Sequence, residues 1–114
     1  MPRDDAAYLL DMLVAARDAT AFAEGVSYAE FERDRQTQLS ILKALEIVGE
    51  AAAHVREDTR KAHPAIPWTE IVGMRNRLVH VYFDLDLPLV WDTVRNDLPV
   101  LIARLEPLVP PEAG

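Results

Sequence analysis

Residues 34–59 read DRQTQLSILKALEIVGEAAAHVREDT, and this stretch decides the fold because it has the longest helical periodicity in the chain. Its apolar residues step by four and three positions along one seam: Ile41, Leu45, Val48, Ala52 and Val55. Side chains at that spacing lie on one face of an α-helix, so the pattern predicts a helix from Asp34 to about Thr59. The second half of the segment is rich in glycine and alanine, which let a neighbouring backbone approach closely. We therefore expect dense contact between helices here.

The N-terminal segment predicts another helix with recognisable ends. Asp4 or Asp5 can cap its start, and Gly25 can end it. Small and apolar residues form one stripe between these ends: Ala6, Leu9, Leu13, Ala16 and Ala23. The pattern is typical of an amphipathic helix that packs against a neighbour.

Two shorter features separate the periodic segments. Ser27 and Glu30 have the spacing of a capping box, in which each side chain accepts a hydrogen bond from the other residue's backbone N–H, so a short helix containing Phe31 should follow. Residues 61–67 read KAHPAIP, and their prolines lack a donor and favour extended geometry in the residue before them. We predict a loop there.

The C-terminal segment predicts a last helix that a proline interrupts. Asp86 and Pro88 mark its start. Apolar positions then follow on one face: Leu87, Trp91, Val94, Leu98, Leu101, Leu105 and Leu108. Pro99 lies within this run, so it should kink the helix or split it in two. If the helix splits, Asn96 or Asp97 should cap the second part.

Residues 79–87 read VHVYFDLDL, and here two secondary structures compete. Partial alternation and β-branched and aromatic residues favour a strand. An isolated strand leaves its backbone groups unpaired, and no second strand is evident in the sequence. We therefore predict that a helix beginning at Trp68 continues to about Tyr82. The fold is then an all-α bundle of four main helices and one short helix.

Length and composition limit the classes of function. The 114 residues, half of them hydrophobic and 27% charged, suit one folded domain spanning residues 1–114. The chain has no cysteine, which excludes disulfides, thiolate catalysis and cysteine-ligated metals. No apolar run approaches the roughly 18 residues of a spanning helix, so we expect a cytoplasmic protein without membrane contact. The net charge of −7 disfavours polyanions, so any contact with nucleic acid requires a local cationic patch.

Such a patch is present in residues 73–82, GMRNRLVHVY, which hold two guanidiniums, an amide, an imidazole and a phenol. On a continuous helix Asn76 and His80 share a face, whereas Arg75 and His80 lie about 140° apart around the axis. One helix cannot easily turn both of the latter inward. Two copies related by a twofold axis can bring the arginine of one subunit near the histidine of the other. We therefore expect a site shared at a homodimer interface.

The side chains of this patch suit phosphate chemistry. His80 titrates near neutrality and is the candidate for proton transfer. Arg75 presents a planar fork of donors that fits phosphate oxygens. Asn76 can orient the phosphate or the imidazole. Arg77 can contact an RNA backbone or pair with a carboxylate, and the sequence leaves both readings open.

Acidic side chains on the long helix have structural and functional readings. Glu46 and Glu50 stand four residues apart on one face, where like charges repel unless a cation offsets them. The motif arginines are natural partners, either in an ion pair that supports the site or in tuning the catalytic groups. Glu50, His54 and Asp58 also share a face that could ligate a metal. A solvated face explains them better, so we predict no metal and no cofactor.

The arrangement R-x(4)-H-x-Y, formed by Arg75, His80 and Tyr82, resembles the motif of HEPN domains. It most closely resembles HepT toxins of the minimal-nucleotidyltransferase toxin–antitoxin modules. Other segments resemble this family in order and spacing: residues 8–13 (YLLDML), 45–51 (LEIVGEA), 67–68 (PW), 90–91 (VW) and 97–99 (DLP). The resemblance covers most of the chain. It implies a HEPN-type antiparallel helical bundle, a homodimer, and a metal-independent endoribonuclease that acts on RNA as a toxin.

The resemblance also implies a partner and a switch. In such modules a cognate nucleotidyltransferase antitoxin inactivates the toxin by transferring AMP to the motif tyrosine, which is Tyr82 here. Two other functions stay open. The chain could be a non-catalytic helical subunit that binds substrate for a two-component nucleotidyltransferase, with no need for His80 as an acid or base. It could also be a purely structural dimerisation module, in which replacing Arg75 would affect stability alone.

Overall fold

The computed structural model describes residues 4–81 and 84–110. Helices form most of these ranges in the order α1 (Asp5–Ala23), α2 (Tyr28–Arg33), α3 (Arg35–His54), α4 (Glu57–Ala62), α5 (Trp68–Val72), α6 (Met74–Leu78), α7 (Leu87–Asp92) and α8 (Leu98–Leu105). A π turn (Thr93–Asp97) joins α7 to α8, and a 3-10 turn (Glu106–Leu108) follows α8. Within the described ranges, β-type pairing is limited to one antiparallel bridge between Val79 and Leu85. The predicted all-α class is therefore confirmed.

Helices α1 and α3 form the centre of the bundle and run antiparallel, because the start of α1 lies beside the end of α3. The ring of Tyr8 stacks on His54 with 5.0 Å between ring centroids. The carboxylate of Asp5 accepts a hydrogen bond from the hydroxyl of Thr59, just beyond α3. The whole predicted seam of α3 is buried, and so is the predicted stripe of α1 except Ala6, which is exposed. These two stripes form the centre of the core, which residues of the other helices complete.

A glycine in α3 allows α5 to approach closely, in agreement with the expected dense contact between helices. A Cβ added to Gly49 would lie 3.0 Å from the carbonyl oxygen of Ile71. Real Cβ atoms rarely come so close to another heavy atom, so a larger residue would push α5 away. Because Glu46 lies one turn before Gly49, this contact also sets how closely the motif after α5 approaches α3.

The ends of the first helices follow their sequence signals. Asp4 caps α1 through a hydrogen bond of 3.0 Å from a backbone N–H in the first turn. Gly25 follows α1 with φ of +73°, a conformation that glycine adopts without strain. Ser27 and Glu30 form the predicted capping box, and Phe31 is fully buried. These local predictions are confirmed.

The long helix α3 ends earlier than predicted, at His54, because Val55 is extended and α4 starts afresh. The guanidinium of Arg60, on α4, folds back onto the end of α3. It donates hydrogen bonds to the carbonyl oxygens of Ala52, Ala53 and Val55. Carbonyls in a last helical turn lack the usual donors from a following turn, so this side chain satisfies the end of α3.

The single helix predicted from Trp68 to Tyr82 is wrong. Gly73 separates α5 from α6, and α6 ends at Leu78. The next residue, Val79, has φ of −118° and ψ of 122°, which is extended backbone. Tyr82 itself lies outside the described residues.

The chain beyond α6 instead pairs with its own return, in what we call the hairpin segment (residues 78–81 and 84–86). The backbone N–H of Asp86 donates to the carbonyl of Leu78 at 2.9 Å, and that of His80 donates to Asp84 at 2.9 Å. The helix prediction failed because it required any strand to find a partner elsewhere in the sequence. The partner is residues 84–86, which follow a few positions later in the chain.

The interruption predicted at Pro99 is present as the π turn. The N–H of Leu98 donates to the carbonyl of Thr93, five residues earlier, so the turn before the proline is wider than an α-helical turn. The predicted caps are wrong. The side chain of Asp97 makes no capping hydrogen bond to α8, and the Asn96 amide donates to a carboxylate one turn back.

The π turn also changes which residue of α7 enters the core. Val90 is fully buried, whereas Trp91, assigned to the apolar face by regular periodicity, is only partly buried. The ring of Trp91 packs against Phe31, with 4.9 Å between centroids. Because the π turn contains one extra residue, the residues before it are offset by one position from a regular 3.6-residue period. That period therefore places Trp91 on the apolar face in the position that Val90 occupies.

Candidate functional site

Arg75 lies on α6 and pairs with Glu46 on α3. Its Nε donates to Glu46 Oε2 at 3.2 Å. The Arg75 side chain is 50% exposed and that of Glu46 27% exposed, so the pair lies at the surface with its carboxylate partly covered. Glu50, one turn further along α3, is exposed and lines the same shallow hollow. Of the two predicted acidic supports, Glu46 thus contacts the motif directly and Glu50 borders it.

Arg77 lies at a different hollow, between α5 and α8. Its Nη2 donates to the backbone carbonyl of Glu70 at 2.8 Å, which ties α6 to α5. Arg77 shares this hollow with Asp97 and Arg104. Asn76 lies between the two arginines on α6 and is exposed. The described contact of Arg77 is therefore with backbone, and its two predicted roles stay predictions.

His80 lies beyond the end of α6, in the hairpin segment. The prediction that His80 shares a helical face with Asn76 is therefore wrong. Its side chain is 55% exposed, and Nε2 lies 3.9 Å from Asp86 Oδ2. This separation is longer than a hydrogen bond, so the imidazole and the carboxylate are neighbours with an electrostatic contact. From the sequence, Asp86 is recognisable only as the start of a helix. Its proximity to His80 depends on hairpin pairing, for which the sequence carried no separate signal.

The motif therefore divides between two elements. Arg75 is held from α3 by Glu46, and His80 is flanked by Asp86 at the start of α7. The separation of 140° calculated for one continuous helix does not apply, because His80 is outside α6. The shared homodimer site stays a prediction. Tyr82 belongs to the residues that the structure leaves undescribed.

Carboxylates lie beside two of the motif side chains: Glu46 pairs with Arg75, and Asp86 lies near His80. The charge of Asp86 also acts on the phenol of Tyr28 on α2. The pKa of Tyr28 is raised, mainly by burial and further by the charges of Glu32 and Asp86. An anionic ligand at the motif would therefore need direct contact with a guanidinium to offset this local field.

Metal-ligating side chains do not cluster within residues 4–81 and 84–110. No group of three or more His, Asp and Glu side chains there could hold a metal ion. His54, one of the alternative ligands, stacks on Tyr8. Among the helices in these same ranges, none combines the length and the apolar character needed to cross a membrane.

The helical bundle and the exposed motif together define a class of protein, and comparison with known proteins identifies that class. The chain belongs to the HepT-like ribonuclease family: the family model described as "Ribonuclease HepT-like" matches residues 12–108. The family resemblance read from the R-x(4)-H-x-Y motif is thus confirmed.

Individual relatives match along nearly their whole length. The chain is 38% identical over 104 residues to "Putative RNase MJ1380" of Methanocaldococcus jannaschii, covering 91% of this chain and 95% of the relative. It is 37% identical over 108 residues to "Probable ribonuclease HepT" of Thermococcus cleftensis, covering 95% and 98%. "Putative RNase MJ0127" of Methanocaldococcus jannaschii is 33% identical over 110 residues, covering 96% and 91%. No solved structure matches the chain significantly.

Proposed function

We propose that this chain is a metal-independent endoribonuclease toxin, which a nucleotidyltransferase antitoxin inactivates by transferring AMP to Tyr82. The observation that carries the proposal is the exposed Arg75 and His80 of the motif on a chain of the HepT-like ribonuclease family. The ribonuclease names of the relatives support the activity. Both side chains are at least half exposed, as groups that contact a large ligand must be.

The proposed cleavage is a transesterification. The neutral imidazole of His80 accepts the proton of a 2′-hydroxyl, whose oxygen attacks the neighbouring phosphorus. The bond from phosphorus to the 5′-oxygen breaks, and that oxygen takes a proton from a second, protonated imidazole. In a homodimer the second copy of His80 supplies that proton. The products are a 2′,3′-cyclic phosphate and a free 5′-hydroxyl.

Arg75 provides the charge that the transition state requires. Its guanidinium stays protonated at all relevant pH values and donates planar pairs of hydrogen bonds to phosphate oxygens. Negative charge that builds on the phosphate is then stabilised by a cation already held in place by Glu46. Asn76, exposed on the same helix, orients the phosphate or the imidazole.

The proposed regulation works by occupancy. The hydroxyl oxygen of Tyr82 attacks the α-phosphorus of ATP, pyrophosphate leaves, and the hydroxyl proton passes to a base of the antitoxin. Tyr82 follows His80 by two residues, so the added nucleotide brings bulk and a negative phosphodiester next to the catalytic imidazole. Steric exclusion and like charge would both oppose RNA binding.

RNA cleavage by the purified chain in the presence of a metal chelator tests the activity. We expect products with 2′,3′-cyclic phosphate ends, identified by mass spectrometry, and a fall in rate of about 10²- to 10⁴-fold in His80→Ala and Arg75→Ala. His54→Ala and Arg56→Ala are matched controls that should cleave normally. Cleavage that survives His80→Ala, or that the chelator abolishes, would contradict the proposal.

Co-expression with a nucleotidyltransferase encoded beside this chain tests the regulation. Intact mass spectrometry should show the gain of one or more adenylate groups, and ribonuclease activity should be lost at the same time. Tyr82→Phe should prevent both the modification and the loss of activity. The substrate-binding alternative predicts that His80→Ala leaves partner binding unchanged. Light scattering of the free chain should give the mass of a dimer, and a stable monomer would remove the shared site.

A further inference from the structure

Asp86 takes part in three contacts at the junction between the hairpin segment and α7. Its backbone N–H donates to the carbonyl of Leu78 at 2.9 Å and so closes the hairpin segment. Its Oδ1 accepts a hydrogen bond of 3.1 Å from the N–H of Leu89 and so caps α7. Its Oδ2 lies 3.9 Å from Nε2 of His80. One residue therefore links the end of α6, the start of α7 and the imidazole of the motif.

The helix cap fixes the direction of this carboxylate. Because Oδ1 accepts a hydrogen bond from the first turn of α7, the cap restricts the rotation of the Asp86 side chain independently of the histidine. The Asp86 side chain is 33% exposed, which shields it partly from water. The second oxygen is therefore held in advance on the side where His80 lies.

We propose that Asp86 is a positioning residue that accepts the Nε2–H of His80 and so fixes the tautomer of the imidazole. This inference rests on the proposed function, in which His80 transfers a proton. With Nε2–H directed at the carboxylate, Nδ1 carries the lone pair and faces the reacting atoms. The 3.9 Å separation is compatible with a hydrogen bond that forms when RNA binds, since hydrogen bonds between catalytic groups are often long in an unliganded protein.

The surroundings of Asp86 favour this role over a purely structural cap. Asp4 caps α1 through one oxygen in the same manner. Asp86 differs because its other oxygen faces a titratable ring, and because its charge also acts on the Tyr28 phenol of α2. The carboxylate of Asp86 thus lies close to the imidazole of His80, and the backbone carbonyl of Asp84 accepts the His80 N–H.

Two variants separate the cap from the contact with His80. Asp86→Ser keeps a good helix cap and removes the second oxygen. Asp86→Asn also keeps a capping oxygen, but it replaces Oδ2 with an NH₂ group, which donates and does not accept. An amide donor beside Nε2 favours the opposite tautomer, in which Nδ1 carries the proton. Asp4→Asn is the matched control for changing a capping aspartate.

Nitrogen-15 NMR of the full chain in alkaline buffer, where imidazole is neutral, reads the tautomer directly. The His80 signals are assigned by their absence in His80→Ala. A neutral imidazole in water already favours Nε2–H, so the informative result is the change in the variant. We expect Asp86→Asn to shift His80 toward the Nδ1–H form, and Asp4→Asn to leave it unchanged. An unchanged His80 in Asp86→Asn would overturn the proposal.

Ribonuclease kinetics provide the second readout. Asp86→Asn and Asp86→Ser should lower kcat by about tenfold to a hundredfold with KM nearly unchanged, while circular dichroism shows that both variants stay folded. Equal kcat values in Asp86→Asn and Asp4→Asn would overturn the catalytic part of the inference. A wild-type chain that cleaves no RNA would refute the proposed function, and the NMR result would still decide whether Asp86 sets the tautomer of His80.

Discussion

Replacing Arg60 by alanine tests how the end of α3 is held. The guanidinium donates to the carbonyl oxygens of Ala52 at 2.9 Å, Val55 at 3.0 Å and Ala53 at 3.1 Å. Hydrogen bonds to a charged group contribute about 1.5–3 kcal/mol, and a cation at a helix C-terminus adds about 0.3–1 kcal/mol. Because water can replace part of these contacts at a partly exposed residue, we expect the free energy of unfolding to fall by about 2–3 kcal/mol.

Urea unfolding followed by circular dichroism measures this loss. Arg60→Lys keeps the positive charge but lacks the planar fork, so it should lose about half as much. The backbone carbonyl of Arg60, which accepts the indole N–H of Trp68, is unaffected by either change. Arg56→Ala is the matched control, since that side chain is 73% exposed and its loss should change stability by less than about 0.5 kcal/mol. If Arg60→Ala and Arg56→Ala unfold alike, the guanidinium does not hold the helix end.

Three further changes test other parts of the fold. Gly49→Ala should lower the free energy of unfolding, measured in urea, by about 1 kcal/mol. The cost of overpacking against the Ile71 carbonyl exceeds the gain of roughly 1 kcal/mol in helix propensity. A net stabilisation would contradict the close approach of α5. The Thr59 hydroxyl is the main cause that lowers the pKa of Asp5 below its ordinary 3.8, so the stabilisation is complete above that pH and is lost as pH falls through the lowered pKa. Thr59→Val should therefore lower the Tm at pH 7, with the difference from wild type shrinking below about pH 4, and a difference independent of pH would refute this linkage. Ser27→Ala should lower the Tm by about 4 °C in a thermal melt, as expected for the loss of about 1 kcal/mol from the capping box, and an unchanged Tm would show that the box adds no stability.

The elements that the sequence predicted well are those with local causes. The seam of α3 and the capping box before α2 depend on residues three or four positions apart, so a single stretch of sequence contains the whole signal. The helix predicted over residues 68–82 failed because its end is decided by pairing across the hairpin segment. No helical propensity or spacing near Val79 encodes where its partner lies. Val90, and not Trp91, is the core residue of α7 because the π turn offsets the helical period, and the spacing of apolar residues did not predict that turn.

For the candidate site too, the sequence indicates which residues take part but not how they are arranged. Its motif residues Arg75, Asn76 and His80 are recognisable by order and spacing alone, and Glu46 follows from the need for a countercharge. Asp86 did not follow, because its distance from His80 depends on the return of the chain after the hairpin segment. The residues of a candidate site can thus be proposed from sequence, whereas the contacts that orient their side chains cannot.

The π turn before Pro99 has a consequence for how this family can change in length. The turn stores one residue more than a regular α-helix would need, and α8 continues in register because the turn absorbs it. Removing one residue there would restore ordinary α-helical winding and keep the faces of α7 and α8 aligned, because a π turn is an α-helical turn with one residue added. Leu98, Leu101 and Leu105 would then stay in the interior. A one-residue deletion should thus be tolerated better in this turn than within α8, where it would rotate the following residues by about 100° around the helix axis.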